Sequence, residues 1–294
     1  MISQSLAAWI NIIGIAAVII PILVVIIWKL FFDGRIWMVF MGLVIYIFFG
    51  QLILSFIHSS ALSPDKFDIT QPGGVVVYII YMALITAICE EGGKFILFKF
   101  VMKPIEDKEE AISVGLGHGG MASIMVLGAN CLMFGMVNNM FAAGDNAALM
   151  SFLGTQTAID AYAARLTALS AGSLLLMLLE QVIMMAFHVF STFFVFMSTR
   201  KVERSKMFFL MVGVHAIFVV PSVLNDRGLI PLWTTELILL VLTVIFAYFG
   251  IKEYKAYVNT RNYDPTKSRW HKKQANVKPQ PKGPQKGGTK KKHK

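Results

Sequence analysis

The chain has 294 residues, of which 56% are hydrophobic and only 15% charged. A soluble domain draws about a quarter of its residues from Asp, Glu, Lys and Arg. Here the apolar residues run instead in blocks of about 20, the length that crosses ~30 Å of hydrocarbon. Composition therefore excludes a soluble enzyme or binding module. It predicts an all-α, polytopic transmembrane helical bundle. The net charge of +10 is a local property, because Lys252 to Lys294 carry 14 Lys/Arg against 2 Asp/Glu and the remainder is close to neutral.

Seven spans are predicted, at about 6–30, 36–58, 73–101, 111–137, 170–198, 207–224 and 231–251. The first lacks a basic leader segment and its apolar run is too long for a signal peptide, so it reads as a retained span. The second ends at His58, at the outer boundary. The third contains CEEGGKFILFKF, with Glu90, Glu91 and Lys94 in an otherwise apolar stretch. The fourth contains GLGHGG around His118. Cys89 and Cys131 fall inside these two spans and read as small apolar fillers. Residues 138–168 are only moderately apolar and are expected to form an interfacial helix or lid. Glu180 and His188 belong to the fifth span, His215 to the sixth.

Basic residues cluster around Lys29 and Arg35, at Lys99, Lys103 and Lys108, in RKVERSK, and in the tail. The positive-inside rule puts all four on one side. This gives seven crossings with the N-terminus outside and the C-terminus cytoplasmic. Residues 1–251 then form a membrane-embedded domain, and 252–294 a disordered basic tail that includes His271 and His293. Juxtamembrane Lys and Arg attract anionic lipid headgroups at ~1 kcal/mol per charge near the surface. No nucleic acid is expected as a partner, since no folded module or stacking platform accompanies the charges.

Charged groups at membrane depth are costly, and those present usually face a cavity or one another. Lys94 lies four residues after Glu90 and three after Glu91, so either carboxylate can form an ion pair with it on one helix face. The two glutamates are ~100° apart around the helix. An economical arrangement pairs one with Lys94 and turns the other into a cavity. Glu180 and His188 are ~80° apart and can border one cavity. Four consecutive spans thus contribute Glu or His. Imidazole and carboxylate are the ligand set of catalytic zinc, with a glutamate able to take a proton from water. A proton or ion pathway and a haem site are the competing readings.

The set EExxK (Glu90, Glu91, Lys94), GLGHGG (115–120), Glu180 through His188 (EQVIMMAFH) and VGVHAIF (212–218) resembles the YhfC family of intramembrane metalloproteases. That family is allied to the PrsW proteases and the CAAX prenyl endopeptidases. The resemblance covers about residues 80–220, which would be the catalytic core. It implies a zinc-dependent peptidase of a bacterial cell membrane, acting on a membrane-embedded peptide or protein. It further implies that Glu90 or Glu91 activates water and that His118 and His188 ligate the metal. His215 would be a third ligand or an oxyanion stabiliser. Glu180 would be a further ligand or a carboxylate orienting a histidine. The chain has Ala122 where the family pattern is acidic, Gln181 where it favours arginine, and Val219 where the prenyl endopeptidases have a polar residue. A proton-coupled transporter or channel, and a non-catalytic scaffold or immunity relative, are the alternative functions.

Overall fold

The structure, a computed structural model, describes residues 2–32, 34–61, 70–102 and 107–258. Those residues are predominantly helical, with no strand among them. In hydrocarbon every backbone polar group must be bonded within the protein, which helices achieve segment by segment. Seven helices are long and apolar enough to cross a membrane. They are α1 (Gln4–Phe32), α2 (Ile36–Ser60), α3 (Pro72–Val101), α4 (Lys108–Ala143), α7 (Ala171–Arg200), α8 (Met207–Asp226) and α9 (Leu232–Ala256). Between α4 and α7 stand two short helices, α5 (Asn146–Leu153) and α6 (Gln156–Ala168). Large apolar side chains such as Ile15, Phe56, Phe209 and Val244 point outward. An apolar exterior of this extent marks a membrane-facing surface, and the chain is an integral membrane protein.

All seven predicted spans are present. The fourth is longer than expected, continuing as helix to Ala143. Gly144, at φ 66°, stops it in the left-handed conformation that glycine adopts without penalty. The segment expected to form one interfacial helix forms two, of 8 and 13 residues. At 1.5 Å per residue neither crosses the bilayer. Asp145 and Thr155 cap them, accepting from Ala148 N at 2.9 Å and Ala158 N at 3.1 Å. Ser170 and Ser173 form a reciprocal capping box that starts α7. α9 runs to Ala256, past the expected end at 251. The predicted tail beyond Val258 lies outside the described residues, as does Lys103.

Packing converges on α4. Lipid tails are as apolar as leucine, so close backbone approach, not hydrophobicity, joins membrane helices. The glycines of GLGHGG provide it on three sides. A Cβ on Gly115 would come 2.7 Å from Val189 Cα, and one on Gly119 2.9 Å from Met185 Cα, both on α7. On Gly117 it would overlap the carbonyl of Val39 on α2, and Gly42 of α2 meets the carbonyl of Val114 in the same way. On Gly120 it would meet Pro21 of α1 at 3.0 Å. Thus α4 is wedged among α1, α2 and α7, with His118 fully buried at its centre.

Cys131 and Cys89 are free and buried. Cys131 fills space against Gly14 of α1.

Candidate metal centre

Helix geometry divides the two adjacent glutamates of α3. Glu91 and Lys94 share a face, and Glu91 Oε1 accepts from Lys94 Nζ at 2.7 Å. The same oxygen lies 2.7 Å from His215 Nδ1 on α8. Glu90 turns the other way, toward α4 and α7. Its Oε2 is 2.9 Å from His118 Nε2 and 3.8 Å from His188 Nε2. Glu90, His118 and His188 offer one ligand atom each, all within 4.8 Å of one another, and are the one such group among the described residues. Glu91 and Lys94 are wholly inaccessible, and Glu90, His188 and His215 nearly so.

Lys94 is central to this arrangement. An ammonium has three donors, and Lys94 Nζ has three neighbours: Glu91 Oε1, Ser191 Oγ at 2.9 Å and His188 Nδ1 at 3.4 Å. It therefore joins the Glu91–His215 pair to the Glu90–His118–His188 group. The rings pack as a chain, His118 to His188 with centroids 4.7 Å apart and His188 to His215 at 5.4 Å. Phe187 borders His188 and His215 and stacks on Phe218 at 4.1 Å. This aromatic packing keeps one side of the site dry.

Two residues expected as possible ligands lie outside this group. His215 is not in the three-residue ligand group and is bonded to Glu91. Glu180 is also outside that group. Its Oε1 accepts from Ser222 Oγ of α8 at 2.7 Å. Eight residues of helix put its backbone ~12 Å along the axis from His188, too far for it to face the same point.

Three further residues border the site: Tyr46, Gln51 and Ser191. Tyr46 stands perpendicular to the His118 ring, with centroids 5.2 Å apart, and accepts from Gln51 Nε2 at 2.7 Å. None is ionised at neutral pH, so a search for charged or metal-ligating residues passes over them. Gln51, polar in an otherwise apolar span, is the mark that could have revealed the first two.

The family model described as YhfC intramembrane metalloprotease matches residues 16–239. The chain is also 23% identical over 254 residues to the uncharacterized membrane protein YhfC of Bacillus subtilis (strain 168), covering 86% of this chain and 98% of that protein. No solved structure matches. The family match spans α2 to α8, every helix that contributes to the Glu–His–Lys cluster, and the chain belongs to the YhfC intramembrane metalloprotease family.

Proposed function

We propose that the chain is a zinc-dependent intramembrane peptidase that hydrolyses peptide bonds of a membrane-associated protein or peptide. The observation that carries this reading is the convergence of Glu90 Oε2, His118 Nε2 and His188 Nε2 from three helices. Two imidazoles and one carboxylate are a ligand set of catalytic zinc, leaving a fourth position open. The residues fit in a second respect. Once Lys94 has neutralised Glu91, Glu90 is the remaining carboxylate in a buried cluster, and a buried charge needs a partner. Glu90, His118 and His188 would hold the ion, which when bound polarises a carbonyl and acidifies water.

The other residues move and hold protons. Glu91, anchored by Lys94, accepts from His215 Nδ1 and fixes the tautomer whose Nε2 is free to accept. In place of the glutamate base expected from the sequence, His215 takes the proton of the attacking water and returns it to the leaving amine, the division of labour of a carboxylate–histidine dyad. The surrounding helices exclude bulk water, so these dipoles act at low dielectric.

A proton or ion relay needs groups strung along the membrane normal. Here α3, α4 and α7 bring theirs to one point, which favours hydrolysis over transport. We place residues 1–251 in the membrane of a bacterial cell, with the N-terminus outside and the basic tail on cytoplasmic anionic lipid.

Metal analysis of the detergent-purified chain tests the reading. Stoichiometric zinc in the wild type, lost in both His118→Ala and His188→Ala, is the expected result. A wild type that carries no zinc after dialysis against the metal refutes it.

A further inference from the structure

A metal-binding histidine is normally oriented by a hydrogen bond from its second ring nitrogen to a carboxylate, carbonyl or water. In this site His188 Nδ1 lies 3.4 Å from Lys94 Nζ, and His215 Nδ1 is held by Glu91. His118 has no such neighbour. Its Nε2 faces Glu90, while its Nδ1 is buried with no hydrogen-bond partner among the described residues. Nor do its sequence neighbours confine the ring, because Gly117 and Gly119 have no side chains. The orientation of His118 must come from packing.

Two rings meet that of His118: that of His188, itself in the ligand group, at 4.7 Å, and that of Tyr46 from α2 at 5.2 Å. Tyr46 is buried and meets His118 at an interplanar angle of 86°. Its own position is fixed by Gln51, five residues later, through the hydroxyl. On an α-helix, residues five apart lie ~140° apart around the axis and would not meet. Tyr46–Ile53 is a π-helical segment, whose wider turn brings positions i and i+5 together. Such π-helical departures recur at functional sites. Gly50 completes the arrangement: a Cβ there would come 2.9 Å from Tyr46 Cδ2 and 3.6 Å from Glu90 Cδ. Its absence lets the tyrosine ring and the Glu90 carboxyl group share that space.

We infer that Tyr46, held by Gln51 across the π-turn, is the positioning residue for His118, doing by ring contact what a hydrogen bond does for other metal-binding histidines. The inference rests on the metal reading above and adds a span that contributes no ligand of its own. It predicts that metal affinity depends on the ring at position 46 and less on its hydroxyl.

The test measures zinc affinity of the full-length, detergent-purified chain by competition with a chromophoric chelator. The cobalt-substituted ligand-field spectrum reports site geometry independently of activity. Tyr46→Leu removes the ring. Tyr46→Phe keeps the ring and removes the Gln51 anchor. Phe134→Leu is a matched truncation in a separate buried cluster. Tyr46→Leu is expected to weaken zinc binding about 10- to 100-fold, the loss usual for an orienting partner, and to alter the cobalt spectrum. Phenylalanine should restore most of the affinity, and Phe134→Leu should leave it unchanged. If the leucine variant does not fold, Tyr46→Met takes its place. Wild-type affinity in the ring-less variant overturns the inference, as does an equal loss in Phe134→Leu. A wild type that binds neither zinc nor cobalt overturns the metal reading itself, and this inference with it.

Discussion

Lys94→Met tests the electrostatic logic of the site. Both Lys94 and Glu91 have 0% side-chain exposure, with Nζ and Oε1 2.7 Å apart. At an effective dielectric of about 20, two unit charges at that distance attract by about 6 kcal/mol. Most of this offsets the cost of removing both charges from water, so the pair adds little net stability over an apolar core. Its removal one partner at a time is different. Methionine at 94 fills the stem's volume but leaves the buried Glu91 carboxylate without its cationic partner, held by His215 Nδ1, a loss of about 3–5 kcal/mol. In Glu91→Gln/Lys94→Met neither member of the pair carries a charge. The double variant should recover more than half of that loss, staying about 1–2 kcal/mol below wild type because Ser191 and His188 lose a neighbour. Unfolding of metal-free protein in mixed micelles, titrated with SDS, measures all three differences. A single variant within about 1 kcal/mol of wild type, or a double variant no better than the single, refutes the reasoning.

Other expectations follow from the same geometry. Gly117→Ala places a methyl against the Val39 carbonyl, where neither backbone can yield, and should cost about 3 kcal/mol or more. Gly213→Ala, with nothing within 4 Å, should change stability by less than about 1 kcal/mol in the same assay. Zinc at about 1,000 times its Kd should stabilise the wild type by about 4 kcal/mol, seen as a higher thermal midpoint that chelation reverses. His118→Ala and His188→Ala should show no such shift. Glu90→Gln should lower zinc content, whereas Glu91→Gln, though destabilised by the buried Lys94 charge it leaves, should retain zinc per folded chain while abolishing hydrolysis, since only Glu90 faces the two histidines.

The spans were legible in the sequence because the bilayer imposes a length that blocks of apolar residues reveal directly. Helix ends were legible where a side chain marks them, as Ser170 does for α7. They were not where the backbone alone decides. Nothing in ANCLMFGMVNNMFAA states that the fourth helix runs on to Ala143, because its composition stays moderately apolar to Gly144. The two short helices that follow were likewise indistinct, as their caps at Asp145 and Thr155 are polar residues in an already polar stretch.

For the site, spacing on one helix was readable and distance between helices was not. That Glu91 and Lys94 share a face, and that Glu90 must look elsewhere, follows from 100° per residue. Which of three histidines Glu90 meets depends on how α4, α7 and α8 are set around α3. That is fixed by contacts such as Gly117 on Val39 and Gly119 on Met185. The glycines were visible in the sequence, but the helix each one faces was not. Glu180 illustrates the cost. Its chemistry suited a ligand and its angle allowed one, yet two turns of axial rise set it beside Ser222. Tyr46 is the converse: uncharged and in a span without Glu or His at its interior, it reaches His118 through a π-turn that departs from the regular periodicity on which sequence reading depends. In a membrane protein of this kind, the residues that carry charge announce themselves. Those that hold the charged residues in place have to be found in three dimensions.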